Sequence, residues 1–159
     1  MTDSVSSSDF TNSVVGESEP FGPPMIGALL RTPWEAVQRR MLERLHDRGF
    51  ADLDFAHLSV FQYPGPQGAR PSELAARLGI TKQALNYLLG ELERLGYLQR
   101  QPDPDDLRSK RVALTRRGAS AIRVIRDAVA EIETAWAQQL GPKRFAQFRG
   151  LLLELNELT

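Results

Sequence analysis

PSELAARLGITKQALNYLLGELERLGYLQRQPDPDDLRSKRVALTRRG, residues 71–118, is the stretch that decides the fold. Leu74, Leu78, Ile80, Leu85 and Leu88 fall where two steeply crossing helices need apolar contacts. Ala75 supplies the small contact between them, and Gly79 stands where the chain must turn with a positive φ. Pro71 suits a first helical turn, because its missing N–H would have no partner there anyway. Glu73 can face the same helix N-terminus. Thr81 is the expected cap of the second helix. Its apolar side is read as Leu85, Leu88, Leu92 and Leu95. Gly90 in mid-helix costs about 1 kcal/mol relative to alanine, and a close helix crossing would account for it. Leu98–Gln101 and Arg111–Leu114 read as two short strands joined by the Pro/Asp-rich loop Pro102–Ser109. Helix, turn, helix and hairpin in this order are the layout of a winged helix-turn-helix.

Upstream, Leu30, Trp34, Val37, Met41 and Leu45 recur at three and four residues, so a helix is expected from near Ile26 to Gly49. A short apolar segment, Leu53 to Phe61, reads as a second helix, closed by the turn-rich loop Pro64–Gly68. Downstream, Ile122, Ile125, Val129, Ile132 and Trp136 mark a long helix that Gly141-Pro142 breaks. A further helix runs from Phe145 to the chain end. The fold class is therefore mainly α with a small β-hairpin (α+β): a winged helix-turn-helix with N- and C-terminal dimerisation helices. The apolar stripes at both ends are wider than a small winged-helix core can cover. They are expected to meet a second subunit, the alternative being an intrachain bundle. Four regions follow: a Ser-rich disordered tail (1–20), an N-terminal dimerisation helix (21–52), the winged helix-turn-helix (53–118) and C-terminal dimerisation helices (119–159).

Composition narrows the function. With 159 residues, 42% apolar and 25% charged, the chain can bury a core without staples. It has no cysteine, which excludes disulfides, thiol redox sensing and thiolate metal sites. No apolar run approaches a membrane span, and the first residues carry no secretory pattern, so a cytoplasmic protein is expected. The net charge of zero hides a local bias: Leu107–Gly118 holds Arg108, Lys110, Arg111, Arg116 and Arg117 with no acidic residue. No glycine-rich phosphate loop, nucleophile elbow or helical histidine pair is present, so no enzyme, cofactor or metal is expected.

The candidate DNA-contacting residues follow from the helix-turn-helix. With the leucines inward, Lys82, Gln83, Asn86 and Tyr87 occupy the outer face of the second helix beside its cap Thr81. Gln and Asn can pair with adenine in bidentate fashion, and Lys can reach guanine or phosphate; the bland alternative is a solvated polar surface. Arg70, at the N-cap of the first helix, is either a phosphate contact or a poor cap. In the hairpin, Asp106 could orient the guanidinium of Arg108 into a narrow minor groove, flanked by Lys110 and Arg111; alternatively these are ordinary loop charges.

Asp106-Leu107-Arg108, followed by Val112-Ala113-Leu114-Thr115 and Gly118, resembles the wing signature of the multiple-antibiotic-resistance regulator (MarR) family. The segment SELAARLGIT…LLGELERLGYLQR resembles that family's helix-turn-helix. The resemblance spans about residues 26–158. It implies a homodimer with interleaved terminal helices, a recognition helix over Thr81–Leu95, and Arg108 as the minor-groove residue. It also implies repression of a palindromic double-stranded DNA operator, relieved by a small aromatic or phenolic effector. Tyr87 departs from the family, which often has a basic residue there. Effector candidates are Trp34, Met41, His46, Phe55, His57, Phe61 and Tyr63, although each also fits plain core, and both histidines fit structural roles. The rival functions are a winged-helix protein-interaction module and a DNA-binding regulator without any ligand.

Overall fold

The computed structural model describes residues 24–61 and 68–158. The expected tail 1–20 and the effector candidate Tyr63 lie outside the described residues. Six helices and one hairpin follow in order: α1 Ile26–Asp47, α2 Phe55–Phe61, α3 Pro71–Leu78, α4 Lys82–Arg94, β1 Leu98–Asp103, β2 Asp106–Leu114, α5 Arg116–Leu140 and α6 Pro142–Leu158.

Local chemistry sets most boundaries. Gly49 takes φ 85° after α1, and the Phe50 N–H closes back on the Leu45 carbonyl at 2.9 Å. Asp54 caps α2 by accepting from the His57 N–H at 3.1 Å, while the His57 ring accepts from the Asp54 N–H at 3.2 Å. This is a reciprocal box with histidine in the place usually held by Glu. At α3 the Glu73 carboxylate accepts from the Arg70 N–H at 3.3 Å, and Gly79 turns the chain with φ 63°. The Thr81 hydroxyl accepts from the Ala84 N–H at 3.1 Å, fixing the start of α4.

The core joins all the helices except α6. It includes Met41 and Leu45 of α1, Leu58 and Phe61 of α2, Leu74 of α3, Leu85, Leu89 and Leu92 of α4, Tyr97 at the mouth of β1, and Ala121, Ile125 and Ala128 of α5. The inward face of α4 thus differs from expectation. Leu89 is fully buried, whereas Leu88 and Leu95 are half-buried on its flanks. Positions 85, 89 and 92 keep the i, i+4, i+7 spacing of one helical face, and Leu88 lies one step round it. Gly90 is exposed, with nothing within 4 Å of an added Cβ, so it marks no helix crossing.

The hairpin strands are longer than expected, leaving only Pro104 and Asp105 between them. The pairing is antiparallel and in constant register from Leu98↔Leu114 to Pro102↔Lys110. It then jumps to Asp103↔Asp106, so residues 107–109 bulge out of β2. Pro102, which has no N–H to give, sits at that irregularity. Ala69, just before α3, bridges Val112 of β2 through two backbone hydrogen bonds of 3.0 and 2.9 Å. The base of the hairpin is thereby sewn to the helix-turn-helix.

At the other end of the molecule α1 packs on α5. Glu131 of α5 receives Arg40 at 3.1 Å and Arg44 at 2.7 Å. Gly141, with φ 87°, and Pro142 break α5 from α6, as expected. α6 packs on α5 but buries no residue. Leu151, Leu153 and Leu158 stay exposed, as do Met25, Ile26 and Leu29 near the start of α1. Among the described residues, folding back within the chain therefore leaves much of both stripes exposed.

Candidate nucleic-acid interface

α4 presents a bare polar face. Lys82, Gln83, Asn86 and Tyr87 are all exposed, Tyr87 by 70%, and the four side chains make no hydrogen bond or ion pair among the described residues. The burial of Leu85, Leu89 and Leu92 turns them outward, since 82, 83, 86 and 87 occupy the opposite side of the 3.6-residue period.

The hairpin, which follows α4 and is anchored at Ala69, carries a second group. Arg108 is exposed in the middle of the bulge. Its backbone N–H donates to Asp106 Oδ1 at 3.0 Å. Asp106 thus fixes the backbone of Arg108 rather than its guanidinium, which corrects the role expected of it. The Arg108 guanidinium and the Lys110 ammonium have no ion-pair partner among the described residues. Arg70 and Arg111 do. Arg70 Nε lies 2.5 Å from Asp103 Oδ2, and Arg111 lies 3.1 Å from Asp103 Oδ1 and 3.2 Å from Asp105. Arg111 Nε, although that close, is not aligned for a hydrogen bond. The hydrogen bond from Arg70 holds the Asp103 carboxyl well below the usual carboxylate range, with the Asp105 N–H and Arg111 adding to the effect against the cost of burial. Asp103 and Asp105 are thus paired with arginine, while the Asp106 carboxylate accepts the Arg108 N–H and has no ion-pair partner among the described residues. The unpaired cations of the bulged segment, Arg108 and Lys110, outnumber that one carboxylate.

Sequence reasoning missed the joint behind this face. Tyr97 is fully buried; its hydroxyl donates to Asp52 Oδ1 at 2.5 Å and accepts from Arg117 Nη2 at 3.0 Å. Arg117 also reaches Asp52 Oδ2 at 2.7 Å. The Phe61 ring meets Tyr97 edge-on at 5.5 Å. Burial is the main cause that pushes the Tyr97 phenol up to about 12, with Asp52 next. Gly118 is required here, because a Cβ would fall 2.1 Å from the Tyr97 carbonyl oxygen. The glycine was visible in the sequence, but its neighbour 21 residues away was not.

The described effector candidates do not converge. Met41 and Phe61 are core residues. His46 Nε2 lies 3.0 Å from the Leu53 carbonyl, and His57 is spent on capping α2. Trp34 and Phe55 are about half exposed, on different helices. A shallow open concavity of about 450 Å³ on α5, lined by Asp127, Ala130, Glu131, Thr134, Ala135 and Gln138, contains none of them.

A buried helix-turn-helix with one bare polar helix face and a basic bulged hairpin sewn beside it defines a winged helix-turn-helix. A sequence model described as MarR family matches residues 51–109. The regulator YkoM of Bacillus subtilis, described as an uncharacterized HTH-type transcriptional regulator, is 31% identical over 85 residues; the match spans 54% of this chain and about half (54%) of that relative. Wild-type MarR of E. coli in its apo form superposes with a TM-score of 0.66 at 24% identity, covering 84% of this chain and 97% of that one. The transcriptional repressor CouR, bound to a 23-mer DNA duplex, superposes with a TM-score of 0.65 at 24% identity over 83% and 92% of the two chains. Over residues 51–109 the chain is thus similar to the MarR family, and its fold is that of the solved regulators of that family.

Proposed function

We propose that two copies of this chain bind a palindromic DNA operator and repress transcription from it. The observation that carries the reading is that one helix-turn-helix unit holds both an unpartnered polar face on α4 and unpartnered cations in the hairpin bulge. Lys82, Gln83, Asn86 and Tyr87 would read the major groove, and Arg108 the minor groove, with Lys110 on phosphate. Arg70 and Arg111 are reassigned from DNA contacts to the support of the wing. The exposed stripes of α1 and α6 supply the dimer contact, and half-sites about 10 bp apart follow from it. The repressor role rests on similarity to CouR, a transcriptional repressor. Release by a small aromatic or phenolic effector would engage Trp34 and Phe55, the exposed aromatics among the candidates.

Salt titration of binding to the DNA upstream of the protein's own gene tests this. Three unpaired cations per protomer, Lys82, Arg108 and Lys110, predict that log K falls with log salt at a slope of about −5 for a dimer. A salt-independent interaction would favour the protein-interaction module instead. Repeating the titration with a panel of phenols and aromatic acids separates a ligand-released repressor from one that needs no ligand.

A further inference from the structure

A two-stranded ribbon gives a charge little to hide behind, yet the Asp103 side chain is fully buried. Four groups from four places surround its carboxylate. Arg70 comes from the cap of α3 and the Asp105 N–H, at 3.0 Å, from the turn. The Ser109 hydroxyl, at 3.2 Å, comes from the inner end of the bulge, and Arg111 from β2. The backbone bridge at Ala69 anchors the hairpin at Val112, opposite Arg100. The Arg70–Asp103 pair carries that attachment three residues further out, about 10 Å along the strand. The single Ser109 hydroxyl proton is shared between Asp103 and the Asp106 carbonyl, which lies 3.0 Å away, while Asp106 holds the Arg108 N–H. The bulge is therefore closed on both sides of Arg108, and both closures lead back to Asp103 or its partner Ser109.

We propose that Asp103 is the positioning residue of the wing: by joining Arg70, Ser109 and Arg111 it fixes where Arg108 stands relative to α4. A buried ion pair of this kind contributes geometric definition more than net stability. The inference rests on the DNA-binding reading above, and it makes a prediction opposite in sign to simple electrostatics. Near phosphates a carboxylate repels, so removing its charge, and freeing two arginines with it, should tighten binding. If Asp103 acts by positioning, removing it weakens binding.

The test uses the full chain and a duplex that the wild-type protein selects from a random pool. Asp103→Asn is expected to keep its oligomeric mass and helical signal, to bind about tenfold more weakly, and to lose hydroxyl-radical protection where Arg108 contacts the duplex. In an Arg108→Ala background Asp103→Asn is expected to cause no further loss. Equal or tighter binding by Asp103→Asn, or a loss fully additive with Arg108→Ala, overturns the proposal. Should Asp103→Asn not fold, Arg70→Gln removes the same bond from its 35% exposed side and is read by the same non-additivity. A wild-type protein that selects no duplex overturns the DNA-binding reading and this inference together. Wild-type selection with an indifferent Asp103→Asn overturns this inference alone.

Discussion

Arg117 meets Tyr97 twice: Nη2 donates to the phenol oxygen at 3.0 Å, and the guanidinium carbon lies 4.5 Å from the ring centroid. With Asp52 they lock the start of α5 to the start of β1 and to the loop after α1. Tyr97→Phe keeps the ring but deprives Asp52 of its hydroxyl donor. A loss of about 1–2 kcal/mol is expected in urea denaturation, with the m-value unchanged. The phenol also confers alkaline sensitivity. Its pKa is raised in the folded state, from 10.0 to about 12, so its contribution is complete below pH 10 and is lost as pH rises through about 12. Thermal melts from pH 9 to 12 should show a steeper fall in Tm for the wild type than for Tyr97→Phe; parallel curves would contradict the assignment.

At the acid end the sign reverses. Asp103 has a depressed pKa in the folded state, principally through Arg70, so its contribution is present above its ordinary value of 3.8 and fades as pH falls below it. Asp103→Asn should therefore lower Tm at pH 7, and the gap to the wild type should narrow as pH drops below about 4. A gap that stays constant down to pH 2 would speak against an ionised Asp103 in the fold.

Two glycines should respond oppositely to alanine. Gly118→Ala forces a Cβ against the Tyr97 carbonyl, a backbone atom that cannot swing aside, and is expected to cost about 2 kcal/mol or more. Gly90→Ala meets open space on a helix and should stabilise by about 1 kcal/mol. Paired thermal melts decide both, and Gly90→Ala melting below the wild type would show that the position is constrained.

The exposed stripe of α6 gives a prediction about assembly. Leu151, 64% exposed, has little cover among the described residues. Leu151→Glu should halve the mass seen by light scattering while leaving the helical signal of each protomer in place. A variant that keeps the wild-type mass would place the subunit contact elsewhere.

Much of this architecture could be read from local signals. Gly49, Gly79, Thr81 and the Gly141-Pro142 break act on their immediate neighbours, so the end of α1, the turn between α3 and α4 and the break between α5 and α6 were legible from single residues. The polar face of α4 was legible too, although Leu89 rather than Leu88 carries its inner side, because neighbouring leucines leave the helical phase ambiguous. Strand length was not legible, since Pro102 and three aspartates spell a loop until Arg70 and Arg111 neutralise two of them. Pairings that span long stretches of chain, Asp52 with Tyr97 or Arg70 with Asp103, left no trace in the spacing of residues. For the same reason the sequence, which reads Arg70 and Arg111 as DNA contacts, gives no sign of the carboxylates that they meet in the fold.

The three-residue bulge at 107–109 has an evolutionary side. A residue gained or lost within a paired strand turns every later side chain to the opposite face, because the strand repeats every two residues. Inside the bulge the register from Pro102↔Lys110 back to the helices is indifferent to such a change. The reach of this finger can therefore change by single residues while the scaffold that carries it stays the same.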